Sequence, residues 1–203
     1  MQQKLLASIA AGSVPDVVQL EIHATCTFAS KGALVPLDEP MAKSRHDRKE
    51  DFLPVLTNTA CEGKTYGIPF NRSVPILYWN RDRFQKAGIA GPPKTWAELA
   101  EGAKKVMEAE KNRKLAGFVW QGKRYEGMVC NALEFIQSNG VRILDEKGRW
   151  AADPARTRAA LDFMRSLFSK DKVSPLTVLA GDEEMARHIF GSGQAVFMRN
   201  WPY

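Results

Sequence analysis

Long apolar runs are missing from this sequence: no stretch approaches the roughly 18 residues that a membrane-crossing helix needs. Cysteine is sparse, with Cys26, Cys61 and Cys130 widely spaced, so neither a metal-ligand pattern nor a C-x-x-C redox pair exists. Histidine is equally scarce, and His23, His46 and His188 stand in unrelated contexts. There is no G-x-S-x-G, H-E-x-x-H or Walker loop, which removes the commonest signatures of hydrolases, zinc proteases and nucleotide-binding enzymes. Repeats and low-complexity segments are absent as well. No metal and no cofactor is expected.

What is present is an ordinary globular composition, 44% hydrophobic and 26% charged over 203 residues. That length allows one large domain or two small lobes. The net charge of +6 permits weak attraction to anions. The densest basic stretch, Lys43 to Asp51, is interleaved with acids and reads as a solvated loop, so no nucleic acid is expected as a partner. Cys130 lies in an apolar helical stretch and reads as a small core residue. Whether Cys26 and Cys61 pair is open at this level.

The order of elements reads as mixed α/β with short strands and long helices. Residues 2–11 suggest a helix stopped by Gly12, Val17 to Leu20 a short strand, and residues 24–31 a helix closed by Gly32. Phe52 to Leu56 is a further extended candidate. Tyr66 to Trp79 reads as two extended segments, since Pro69 and Pro75 forbid a regular central strand. Thr95 and Glu98 have capping-box spacing ahead of an amphipathic helix. Ala116 to Trp120 is the next strand, followed by a helix over 126–138 and a hairpin over 142–151. Asp153-Pro154 starts a helix whose buried stripe is expected at Leu161, Met164 and Phe168. Asp182 to Phe190 is another helix, and Gly193 to Met198 enters a last strand.

Two clusters of aromatic and polar residues follow strands directly: Trp120-Gln121 with Tyr125-Glu126, and Arg199-Asn200-Trp201 with Tyr203. Ligand sites in open α/β sheets lie outside the carboxyl ends of the strands. Aromatic faces suit the C–H face of a sugar, while amides, carboxylates and guanidinium groups suit its hydroxyls. A third polar group, Asn71-Arg72-Ser73, interrupts a run that otherwise looks buried. An enzymatic alternative would pair Glu21 with Glu126 as in glycosidases.

Several stretches together resemble the extracellular solute-binding proteins of ABC importers, family 1. These are Tyr66-Gly67-Ile68-Pro69-Phe70-Asn71, Leu77-Tyr78-Trp79-Asn80-Arg81-Asp82, Phe84-Gln85-Lys86-Ala87-Gly88 and Pro92-Pro93-Lys94-Thr95-Trp96-Ala97-Glu98-Leu99. Gln19 to Thr25 and Pro69 to Pro75 look like the glycerol-3-phosphate-binding branch. Gly117 to Gly122 with Tyr125-Glu126-Gly127, and Met198 to Tyr203, look more like the trehalose/maltose-binding branch.

The resemblance implies a type II periplasmic-binding-protein fold, two α/β lobes joined by crossover strands with ligand in the cleft. Residues 1–72 would form the first lobe and 73–203 the second, with a hinge near 71–75. It also implies that the chain is the middle half of such a protein, its first lobe incomplete and its export signal and lipid anchor outside. The implied function is non-enzymatic: periplasmic or extracytoplasmic binding of a disaccharide or short oligosaccharide by a monomer that delivers it to ABC permease subunits. The implied ligand residues are Glu21, His23, Asn71, Arg72, Ser73, Trp120, Gln121, Tyr125, Glu126, Arg199, Asn200, Trp201 and Tyr203. Glycerol 3-phosphate or a glycerophosphodiester is the alternative, with Arg72 and Arg199 meeting the phosphate.

Overall fold

A computed structural model describes residues 2–44, 58–71 and 73–202. The chain divides into two compact units, Met1–Arg72 and Ser73–Tyr203.

The first unit opens with helix α1 (Gln2–Ala10), and Gly12 turns the chain after it with φ +68°. Val17 to Leu20, expected as a strand, is irregular, and Val17 is 88% exposed. β-branched residues favour a strand only where a partner strand and a face to bury exist. A 3₁₀ turn (Ile22–Ala24) runs into helix α2 (Thr25–Ala29), and Gly32 closes it at φ +68°. Helix α3 (Asp38–Lys43) follows and takes in Lys43, the first residue of the stretch read as a solvated loop. Residues 45–51 of that loop, and Phe52 to Leu56, lie outside the described residues.

Strands β1 (Ala60–Cys61) and β2 (Lys64–Thr65) then form a two-stranded antiparallel hairpin. Cys26 and Cys61 are joined by a disulfide that ties α2 to this hairpin. Asp38 Oδ2 accepts from the Thr65 amide at 2.9 Å, which ties α3 to it as well.

The second unit is built on a three-stranded sheet of β3 (Ile76–Trp79), β4 (Ala116–Val119) and β5 (Ala195–Asn200), in the order β3-β5-β4. β5 is antiparallel to β3, with Ile76 opposite Asn200, and parallel to β4, with Phe118 opposite Phe197. Every residue of β4 and β5 is buried, the pattern of strands covered on both faces. The free edge of β4 is closed by the 173–174 segment. Gly117 and Phe118 amides both donate to the Val173 carbonyl at 2.8 Å.

The helices carry local start signals. α4 (Arg81–Lys86) is capped by the Asn80 side chain, α5 (Trp96–Glu110) by Thr95, α7 (Pro154–Ser169) by Asp153 and α8 (Glu183–Gly191) by Asp182. α6 (Glu126–Ser138) begins after Tyr125 without such a cap. At α5 the Thr95 hydroxyl accepts from Glu98 N, but the Glu98 carboxylate reaches back to Lys94 N rather than Thr95 N. The 142–151 hairpin reduces to a single bridge, Leu144 opposite Trp150. The inward positions of α7 are Ala160, Met164 and Leu167, while Leu161 is exposed. The stripe is thus rotated from the one expected. Phe84, Leu99, Phe118, Trp120, Phe135, Leu167 and Phe197 dominate the core between sheet and helices. Cys130, expected in the core, is only partly buried.

Candidate functional site

Because β4 and β5 are parallel, both deliver their following residues to the same edge of the sheet: Trp120 and Gln121 after β4, Trp201 after β5. β3 runs the other way and starts at Ile76 opposite Asn200, so residues 73–75 lead into that edge. The starts of α6 and α8 join it. The Lys123 amide donates to Gly181 O at 3.1 Å, and Asn200 Nδ2 donates to Glu183 O at 3.1 Å. Four chain segments therefore meet where ligands of open α/β sheets bind.

Gln121 is the hub, with no exposed surface. Its Nε2 donates to Arg199 O at 3.0 Å and Asn200 Oδ1 at 3.3 Å. Its Oε1 accepts from Arg199 Nη1 at 2.9 Å and Asn131 Nδ2 at 3.2 Å. Asn131 Nδ2 also donates to Gly127 O at 2.7 Å. Arg199, 2% exposed, closes the network on its other side. Its Nε donates to Glu134 Oε2 at 3.1 Å and its Nη2 to Glu134 Oε1, a two-pronged ion pair. The Arg199 guanidinium carbon lies 3.9 Å from the centre of the Trp201 ring, within cation–π range. Trp201 itself is half-buried, and its amide donates to Asn200 Oδ1 at 2.9 Å.

Tyr125 folds back over the start of α6. A Cβ at Gly127 would stand 2.4 Å from the Tyr125 hydroxyl, so only glycine lets the ring lie there. Burial, with the Glu183 and Asp182 carboxylates nearby, raises the Tyr125 pKa above the ordinary tyrosine value. It stays a neutral donor at physiological pH. The Cys130 thiol is pushed up by burial and the charge of Glu126. The exposed Lys123 ammonium lies 3.6 Å from Asp182.

Four of the expected ligand residues are buried in the unit. Trp120 is 1% exposed, packs on Phe118 and Phe168, and donates from Nε1 to Ser174 Oγ at 3.1 Å. Its ring is a core aromatic with no face free for a ligand. Gln121 likewise spends its amide inside the unit. Arg199 and Asn200 are buried scaffolding beneath Trp201 rather than a free cation and amide. Tyr125, Glu126 and Trp201 remain at the edge with surface partly open. Glu21, His23, Asn71 and Ser73 are all exposed, the first three in the first unit. Arg72 and Tyr203 lie outside the described residues. Glu21 and Glu126 belong to different units.

Glu134, Asn131 and Glu183 were not anticipated. A signal existed for the first two: Asn131 and Glu134, three apart on α6, place polar groups on or beside its inward face.

The profile of the bacterial extracellular solute-binding proteins matches residues 1–203. A maltose-bound protein, MalE3 of T. maritima, superposes with a TM-score of 0.88 at 40% identity, covering 100% of this chain and 50% of that one. A probable ABC transporter-binding protein of Deinococcus radiodurans is 37% identical over 158 residues, 76% of this chain and 37% of that protein. The sn-glycerol-3-phosphate-binding periplasmic protein UgpB of Yersinia enterocolitica is 35% identical over 130 residues, 60% of this chain and 29% of that protein. The chain thus spans half or less of the length of these relatives.

Proposed function

Because the chain belongs to the family of bacterial extracellular solute-binding proteins, we propose that it carries part of the receptor of an ABC importer and that its ligand is a disaccharide or short oligosaccharide. Its fold is that of the type II periplasmic binding proteins. In this reading the receptor acts outside the cytoplasmic membrane and hands its ligand to permease subunits without chemical change. Residues 71–75 serve as hinge, and binding shifts an open–closed equilibrium of the two units.

The observation that carries the sugar reading is the state of Arg199. Its charge is matched by Glu134, and its donors point at Glu134 and Gln121. A phosphate at this strand end would find the Arg199 guanidinium already committed. What the edge offers instead is the Trp201 indole, stiffened from one side by Arg199, with the partly open Glu126 at the start of α6 as a hydroxyl partner. An apolar ring face with hydrogen-bonding groups on the same edge matches a neutral sugar. The maltose in the T. maritima relative agrees with it. Glycerol 3-phosphate stays as the second reading, because relatives carry that name and Arg72 has the charge for it.

The test is tryptophan fluorescence titrated with maltose, trehalose and sucrose. Trp201→Ala should weaken the sugar that binds by about tenfold or more, as loss of a central aromatic anchor does. Trp120→Phe should leave affinity within about twofold while lowering stability. The reverse pattern would put the ligand on Trp120 and overturn this assignment.

A further inference from the structure

We propose that Glu134 is a positioning residue that sets the preference of this wall for neutral over anionic ligands. The inference rests on the reading above that the sheet edge at Trp201 meets the ligand.

Arg199 is the second-last residue of β5, on the same strand face as the core residue Phe197. Side chains of that face look toward α5 and α6: a Cβ at Gly102 of α5 would lie 3.9 Å from Phe197. A guanidinium at the end of this row is therefore delivered to α6, where Glu134 stands ready. The exposures of the pair are unequal, with 3% of the Arg199 side chain open and 30% of the Glu134 side chain. Of the pair, the carboxylate is the member open to solvent, with the cation behind it.

Two consequences follow from this order. The guanidinium is held in one orientation by three named bonds, two to Glu134 and one to Gln121, and in that orientation it lies against the Trp201 ring. Glu134 thus acts on the indole through Arg199, fixing the aromatic platform without touching a ligand itself. The pair also presents no net charge, and its outer member is negative. An approaching phosphate would be repelled by Glu134 before it reached Arg199. Removing only the carboxylate charge would leave a buried cation without its partner, a condition that draws an anion. One side chain on α6 would then decide whether the same strand end serves a sugar or a phosphate ester.

The experiment uses the 203-residue chain as wild type, Glu134→Gln and Glu134→Gln/Arg199→Gln. Calorimetry gives the affinities for maltose and sn-glycerol 3-phosphate. In parallel, inorganic phosphate is titrated while the Arg199 Nε–H resonance is followed by NMR, assigned by its loss in a further single variant, Arg199→Gln. In Glu134→Gln the ratio of the two affinities should move toward the phosphate ester by about tenfold or more, the scale of one charge contact at a partly buried site. The double variant should move it back. The wild-type resonance should not respond to phosphate, and the Glu134→Gln resonance should respond with saturation. A merely structural role for Glu134 would lower both affinities by one factor and leave their ratio unchanged, which would overturn the proposal. So would a saturable phosphate response at wild-type Arg199, an outcome that decides the matter even where Glu134→Gln does not fold. Wild type that bound neither maltose nor the phosphate ester would instead defeat the functional reading, with the inorganic phosphate titration still judging Glu134.

Discussion

At the scale of single residues, much of the second unit depends on side chains that are missing or enclosed. A Cβ at Gly117, in the middle of β4, would lie 2.8 Å from Val173 Cβ and 2.9 Å from both Ala103 Cβ and Met107 Sδ. Those contacts come from α5 on one side and the edge segment on another; Met107 can swing away, but the Cβ atoms of Val173 and Ala103 are fixed to their backbones in a packed core. Gly117→Ala is therefore expected to destabilise the chain by about 1–3 kcal/mol through overpacking. Urea unfolding would read this as a lower midpoint with an unchanged slope. Trp120 and Gln121, the next residues but two, show the other side of the same economy. Both are polar or aromatic residues after a strand, and both are consumed by the interior.

At the scale of elements, the disulfide defines what holds the first unit. α2, α3 and the β1–β2 hairpin are short, and the covalent tie between Cys26 and Cys61 closes a separation of 35 residues. Cutting such a loop constraint costs about 2–4 kcal/mol in the chain-entropy picture. Reduction, or Cys26→Ser with Cys61→Ser, should lower the hydrogen-exchange protection of the first unit. Amides of β4 and β5 should keep theirs. Equal loss in both units would mean that the tie acts on the whole chain.

Elements with local determinants were legible in the sequence. Thr95, Asp153 and Asp182 announce α5, α7 and α8 because a cap is a bond between near neighbours. β4 and β5 announce themselves as buried apolar runs. What depended on distant partners was not legible. Val17 to Leu20 has strand composition and no strand. The pairing of Cys26 with Cys61 needed the topology of α2 and the hairpin. That hairpin itself was hidden because its turn uses Glu62 at φ 51° before Gly63 at φ 79°, where asparagine or aspartate is the usual first residue. At the sheet edge the sequence named residues without their partners. Arg199 looks like an anion site until Glu134, 65 positions earlier, is placed against it.

At the scale of the whole molecule, the account joins a type II binding-protein fold to a wall whose only deeply placed cation is already neutralised, among the described residues of that edge. Binding of a neutral sugar by such a wall should depend little on ionic strength, since the ligand carries no charge to be screened. Binding of a phosphate ester by Arg72 or a freed Arg199 would weaken steeply with salt. The most direct measurement is calorimetric titration of the chain with maltose, trehalose and sn-glycerol 3-phosphate, each at low and high salt. Saturable binding of a disaccharide with nearly the same affinity at both salt levels is the predicted result. Binding of glycerol 3-phosphate alone, lost as salt rises, would contradict the account.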